Sequence, residues 1–122
     1  MSVLVYLKQH VLFKLTKEEF MEKLKTELEN RVEEAWLFGS ITGTKFDPYK
    51  SDVDLILVTK TNRPFVERWK DFSDILNLAR KIDLLIYTPS EWENLKKETN
   101  GFWKDVHKTR IPIIQNGNSN TP

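Results

Sequence analysis

Trp36-Leu-Phe-Gly-Ser40 and Ser51-Asp-Val-Asp-Leu-Ile-Leu-Val58 are two largely apolar segments that flank a polar loop over residues 41–50. Their length and β-branched content predict two strands of one sheet. Because successive side chains of a strand point to opposite faces, Asp52 and Asp54 are expected to project together on one side. The apolar residues that alternate with them would then point toward a core.

The residue types in this segment indicate a phosphate site beside a metal site. Two carboxylates on one strand face repel each other, and a hard divalent cation such as Mg²⁺, which takes oxygen ligands, relieves that repulsion. Gly39 has no Cβ, so a backbone or a phosphate can approach closely there. Ser40 adds a hydroxyl at a predicted strand-to-helix turn, where free N–H groups favour anions. Taken singly, each motif is also typical of a solvated strand end or a plain turn.

The order Gly39-Ser40, spacer, Asp52-x-Asp54 resembles the signature of the DNA polymerase β-like nucleotidyltransferase superfamily, and the short chain looks like its minimal nucleotidyltransferase branch. That pattern includes a later third carboxylate on a neighbouring strand, for which Asp83 in the apolar segment 81–87 is the candidate. The resemblance covers about residues 16–114. It implies an α/β (α+β) nucleotidyltransferase fold, in which a small mixed β-sheet packs against helices.

The resemblance also implies roles for the site residues. Asp52, Asp54 and Asp83 would be catalytic and would hold two Mg²⁺ ions, while Gly39 and Ser40 would contact the β/γ phosphates of ATP or another NTP. A separate argument concerns Asp83, because an acid in so apolar a strand is costly unless it has a partner. That argument favours a ligand role for Asp83 over the alternative of an edge strand with Asp83 in solvent.

One element of the family pattern is missing. Many members carry an Arg soon after Gly-Ser, whereas Ile41 and Thr42 follow here, so that phosphate partner is absent. Lys45 or Lys50 could substitute from the loop, although two solvated lysines are the simpler interpretation.

Length and composition indicate one small domain. The chain has 122 residues, a formal net charge of +1 and no cysteine. We therefore predict a nucleotidyltransferase domain over residues 1–114 and a disordered polar tail over residues 115–122. The small net charge gives no strong nucleic-acid signal, and the absence of cysteine excludes disulfides and thiolate zinc sites. With no signal peptide and no membrane span, we expect a soluble cytoplasmic protein with no membrane contact.

Hydrophobic periodicity predicts the remaining elements. The apolar residues of segment 3–15 fit a helical stripe or a strand, and we favour packing on the core over a dimer contact. Thr16 and Glu19 form a capping-box pattern, as do Ser90 and Glu93. The predicted elements are helices over 17–30, 64–80 and 90–98, a further helical turn or two near 102–106, and strands over 32–38, 51–59, 82–87 and 111–114.

The resemblance implies transfer of a nucleoside monophosphate, AMP from ATP in the leading interpretation, to a hydroxyl. Members of this size look like one half of a two-component MNT/HEPN system, in which the antitoxin-like half adenylylates a small helical HEPN-type partner protein. One alternative is a non-catalytic nucleotide- or partner-binding module. Another is a small-molecule, aminoglycoside-type nucleotidyltransferase subunit, which would need an acceptor pocket built by homo-oligomerisation.

Overall fold

The computed structural model describes residues 10–115 and places four strands in one sheet. The strands are β1 (Glu34–Phe38), β2 (Val53–Val58), β3 (Ile82–Tyr87) and β4 (Ile111–Ile114). They lie in the order β3-β2-β1-β4. β1 runs antiparallel to both β2 and β4, whereas β2 and β3 are parallel. The predicted small mixed sheet is therefore confirmed, and the Pro112-containing strand lies at an edge, as its missing N–H requires.

Within residues 10–115, three α-helices and three short 3-10 helices connect and cover the strands. The α-helices are α1 (Lys17–Leu28), α2 (Pro89–Leu95) and α3 (Gly101–Thr109); the 3-10 helices are Gly39–Thr42, Phe65–Phe72 and Ile75–Asn77. The predicted Thr16–Glu19 capping box of α1 is present. None of the helices in the described part of the chain is long and apolar enough to cross a membrane.

The predicted Ser90–Glu93 capping box is wrong by two residues. Thr88 is the N-cap of α2, and the side chain of Glu91 completes the box by accepting the Thr88 N–H. Pro89 explains the shift: it lacks an N–H and has a fixed φ, so it is suited to the first helical position directly after the cap.

The two faces of the sheet pack against different layers. On one face, α1 and the two later 3-10 helices bury residues such as Phe20, Leu24 and Ile75 against the strands. On the other face, Trp92 of α2 and Val106 of α3 pack against alternate strand residues. The sheet therefore lies between two helical layers, and Asp54 and Asp83 belong to the face covered by α2 and α3.

The amphipathic helix predicted over 64–80 is not formed. Two 3-10 helices replace it, and three residues assigned to its apolar stripe are exposed, namely Phe65, Val66 and Trp69. Arg68 is buried instead, because its guanidinium donates to the Ile86 carbonyl at 3.0 Å and pairs with Glu91 at 2.6 Å. A hydrophobic pattern cannot anticipate this ion pair with a residue much later in the chain.

The segment before α1 packs on the core where it is described. Val11 and Leu12 are almost completely buried, in a turn rather than in the predicted helix or strand. The Val11 N–H donates to the Pro48 carbonyl at 2.7 Å, and the Val11 carbonyl accepts from the Arg80 N–H at 2.8 Å. The predictions for residues 1–9 and for tail residues 116–122 lie outside the described residues.

Candidate active site

The sheet register brings two of the three predicted carboxylates together. Asp54 lies opposite Phe38 of β1 and opposite Asp83 of β3. Since β2 and β3 are parallel and in register, Asp54 and Asp83 project from the same face of neighbouring strands, which lie about 4.8 Å apart. The juxtaposition that was expected from the family resemblance is thus present for this pair.

The electrostatics of Asp54 differ from those of an ordinary surface acid. Burial of the carboxyl, the negative charge of Asp83 and a hydrogen bond with Asp83 raise the pKa of Asp54 to about 6. The charge of Asp52 acts in the same direction, and Lys81 partly opposes it. The half-buried Asp54 carboxyl therefore retains its proton to a higher pH than an ordinary surface aspartate does.

Asp52 is arranged differently from Asp54. It immediately precedes β2, and its Oδ2 lies 3.3 Å from Nζ of Lys81. In the described range, residues 10–115, no group of three or more His, Asp or Glu side chains has a geometry that could hold a metal ion as it stands. The structure thus pairs Asp54 with Asp83 and leaves Asp52 in contact with a lysine, so the metal-ligand roles stay a prediction.

Lys81 is a charged group that the sequence reasoning missed. It directly precedes β3, and its backbone carbonyl accepts the Val53 N–H at 3.0 Å, which ties the starts of β2 and β3 together. Its ammonium group supplies positive charge beside Asp52 and lowers the pKa of Asp54. The contact between Lys81 and Asp52 follows from the parallel pairing of β2 with β3, and nothing in the local sequence indicates it.

The physical argument given for Asp83 is wrong. The side chain is exposed, and β3 is an edge strand of the sheet, so no burial cost demands a ligand. The edge position is the alternative that the sequence left open. What supports Asp83 as a site residue is its register with Asp54, not desolvation.

Two features of the structure require glycine at position 39, namely its backbone conformation and a close side chain. Its φ of +79° lies in the left-handed region that disfavours other residues. A Cβ at Gly39 would also come within 2.5 Å of Oδ2 of Asp54. The peptide of Gly39 therefore lies directly against the Asp54 carboxylate, and Ser40 follows it, half-buried, in the 3-10 helix.

Two threonines fix this turn. The Gly39 N–H donates to Oγ1 of Thr109 at 3.0 Å, and Oγ1 of Thr42 donates to the Gly39 carbonyl at 2.9 Å. Thr109 lies at the end of α3, 70 residues from Gly39, and no sequence signal pointed to it. Lys45 and Lys50, considered as phosphate partners, are exposed loop residues.

A protein-family model matches most of the chain. The family model described as polymerase beta, nucleotidyltransferase, matches residues 22–116, which include every residue of the candidate site. No protein of curated function matches the chain significantly.

Three solved structures resemble the fold. A chain from the complex of tri-AMPylated Shewanella oneidensis HEPN toxin with MNT antitoxin has a TM-score of 0.52 and 12% identity, over 85% of this chain and 76% of that one. A suspected nucleotidyltransferase from Sulfolobus solfataricus has a TM-score of 0.48 and 20% identity, over 83% and 78%. A mutant of the toxin–antitoxin pair MntA-HpeT has a TM-score of 0.49 and 14% identity, over 86% and 77%.

Proposed function

We propose a reaction for this protein from one premise: the chain belongs to the polymerase β nucleotidyltransferase family. The protein transfers a nucleoside monophosphate, AMP from ATP, to a hydroxyl group and releases pyrophosphate. The observation that carries the proposal is the pairing of Asp54 with Asp83 directly beside the Gly39 peptide. Carboxylate oxygens hold the metal ions of a metal-dependent phosphoryl transfer, and the phosphates would lie at the adjacent turn.

The residues present fit a divalent cation. The raised pKa of Asp54 means that its negative charge is unfavourable in the folded protein, and a bound cation would offset that charge. All three acids have carboxylate oxygens, which are the ligands that a hard divalent cation takes. A positive group already lies against Asp52, namely the Lys81 ammonium at 3.3 Å. Asp52, Asp54 and Asp83 would hold Mg²⁺, two ions in the full assignment. When bound, the metal lowers the pKa of the attacking hydroxyl and stabilises charge on the triphosphate.

The chain's own groups divide the remaining work. The Gly39 peptide lies against the Asp54 carboxylate, and the hydroxyl of Ser40 follows in the same turn, so a phosphate bound at this turn would lie next to the acids. The bond from Gly39 to Thr109 holds that turn against α3. Asp83 is exposed at the edge strand, so an acceptor hydroxyl can approach it from solvent.

The proposed acceptor is a hydroxyl on a partner protein of the HEPN type. One structure with a related fold comes from the complex of a tri-AMPylated HEPN toxin with an MNT antitoxin. The likeness to that complex concerns the fold alone, and it is our proposal that this chain performs the same kind of AMP transfer. On this basis the protein is the antitoxin-like half of a two-component system and adenylylates its partner.

The test is label transfer from α-labelled ATP with Mg²⁺ into a lysate of the source cell. We expect a labelled protein band with the wild type and none with Asp52→Asn, Asp54→Asn or Asp83→Asn. Asp105→Asn is the matched control, since it removes the same charge from an exposed position of α3. EDTA should abolish labelling by the wild type and by this control equally.

Other outcomes would redirect or overturn the proposal. Label found only in small molecules would replace the protein acceptor with a small one, such as an aminoglycoside. Bound ATP without any transfer would replace the enzyme with a nucleotide-binding module. Full transfer by Asp54→Asn would overturn the metal assignment altogether.

A further inference from the structure

Apart from the candidate active site, the protein has a concave surface between the end of α2 and one side of α3. This cleft has a volume of about 550 Å³ and is lined by Lys96, Glu98, Thr99, Lys104, His107 and Arg110. None of the three acids of the candidate active site lines it. The cleft is therefore a separate feature of the fold, and the proposed transfer reaction does not use it.

Arg110 is held rigidly at the wall of this cleft. Its guanidinium carbon lies 4.2 Å from the ring centroid of Trp36 and 5.3 Å from that of Trp92. Its Nε donates to Nδ1 of His107 at 3.0 Å. Nε2 of His107 lies 2.9 Å from the Leu95 carbonyl, which sets the tautomer that leaves Nδ1 free to accept. Stacking and this relay fix the orientation of the guanidinium before any ligand arrives.

Arg110 lacks the carboxylate partner that three of the other arginines have. Arg31, Arg63 and Arg68 each contact an Asp or Glu at 2.6 to 2.8 Å. Within the part of the chain that is described, Arg110 forms no such ion pair. Glu34 is near enough to raise the pKa of Arg110, but burial lowers that pKa by more, and Oε1 of Glu34 accepts the Trp36 indole N–H. Among residues 10–115, the hydrogen bond of the Arg110 side chain comes from Nε, which leaves the two Nη groups as donors for an external acceptor.

The rest of the cleft is favourable to an anion. Lys96 and Lys104 add two positive charges, Glu98 subtracts one, and Lys96 also contacts Glu93 at 2.7 Å. Together with Arg110, the lining side chains therefore carry a net positive charge, which favours an anion.

We propose that this cleft is an oxyanion site that takes a phosphoryl group, anchored by Arg110 and assisted by Lys104. A planar guanidinium with two free Nη groups matches phosphate oxygens in a bidentate manner. The volume exceeds that of a single phosphate ion, so a phosphate monoester also fits. The proposal is independent of the transfer reaction, and either can fail without the other.

The test uses the metal-free full chain in EDTA at constant ionic strength, with inorganic phosphate and ribose 5-phosphate as separate probes. Binding is followed by tryptophan fluorescence and by amide shifts in the NMR spectrum, since Trp36 and Trp92 both contact Arg110. We expect saturable responses confined to residues around the cleft. Tighter binding of the ester would identify an esterified ligand, and equal binding would identify the free anion.

Three exposed substitutions report on the charge of the cleft without disturbing the core. Lys104→Gln should weaken phosphate binding by roughly threefold and Glu98→Gln should strengthen it by a similar factor, as expected for partly solvated charges. Lys97→Gln, an exposed neighbour that does not line the cleft, is the matched control. A response that chloride reproduces, or one that ignores both Lys104→Gln and Glu98→Gln, would overturn the proposal.

Discussion

Replacing Asp54 with Asn should stabilise the metal-free protein at alkaline pH. The pKa of Asp54 rises from 3.8 to about 6 in the fold, and each pKa unit corresponds to 1.36 kcal/mol. Full ionisation would thus cost about 3 kcal/mol. Because the carboxyl is only half-buried, solvent screening reduces this to roughly 1–2 kcal/mol. Asn removes the charge with almost no change in shape and can donate to Asp83.

The sign of the pH dependence follows from the direction of the shift. A raised pKa means that the folded state holds the proton more tightly, so this contribution to stability is complete below pH 3.8 and is lost as the pH rises through about 6. The variant should therefore exceed the wild type by roughly 1–2 kcal/mol near pH 8. The difference should shrink toward zero as the pH approaches 4.

The assay is urea unfolding followed by tryptophan fluorescence, in EDTA, across this pH range. Asp71→Asn is a control of opposite sign, because a hydrogen bond from Arg63 lowers the pKa of Asp71. Asp71→Asn should be less stable than the wild type at neutral pH, and the two proteins should become equally stable in acid. The reasoning is refuted if Asp54→Asn is less stable than the wild type near pH 8, or if its stability difference does not change with pH.

Magnesium should reverse the ranking of the same pair of proteins. A ligand that binds only the folded state at ten times its dissociation constant adds about 1.4 kcal/mol. The wild type should gain this stabilisation, and Asp54→Asn should gain much less, because it has lost a charged ligand. Equal stabilisation of both proteins by magnesium would show that Asp54 does not contribute to magnesium binding.

Three further substitutions test the supports of the site and of the fold by the same unfolding assay. Gly39→Ala should destabilise the protein by about 1–3 kcal/mol, because φ is +79° and the new Cβ meets Asp54, whereas Gly101→Ala, with nothing within 4 Å, should not. Thr109→Val should cost about 1–2 kcal/mol by removing the acceptor of the Gly39 N–H. Glu91→Ala should cost about 2–4 kcal/mol, because it leaves the Arg68 guanidinium buried without its partner.

The local pattern of apolar and polar residues was sufficient to predict the strands and the Gly-Ser and Asp-x-Asp motifs that they carry. The alternation along β3 separates Ile82, Leu84 and Ile86 from the face of Asp83, and the structure places those three in one core as expected. β1 and β2 also form where the two apolar segments predicted them. These successes depend on the period of the side chains, which a strand imposes wherever one face is buried.

The errors arise where the partner of a residue is distant in sequence. Arg68 lies within the helix that was predicted over 64–80, and its burial was not anticipated; it is buried because Glu91 and the Ile86 carbonyl satisfy its donors. Thr109 was unnoticed because its contact with Gly39 exists only when α3 closes over the end of β1. Periodicity reports how apolar a face is, and it carries no information about which polar groups can be buried together.

Asp83 shows why a correct residue can be reached through an incorrect reason. The acid was taken as costly because its strand is apolar, but the edge position of β3 exposes it, and the cost falls on Asp54 instead. Asp54 lies on β2, between β1 and β3, and is half-buried, whereas Asp83 on the edge strand is exposed. The unfavourable charge is thus concentrated on one half-buried carboxylate with a second acid in register beside it. Only a proton or a cation removes that charge at little structural cost, and local conflicts of this kind are expected at functional sites.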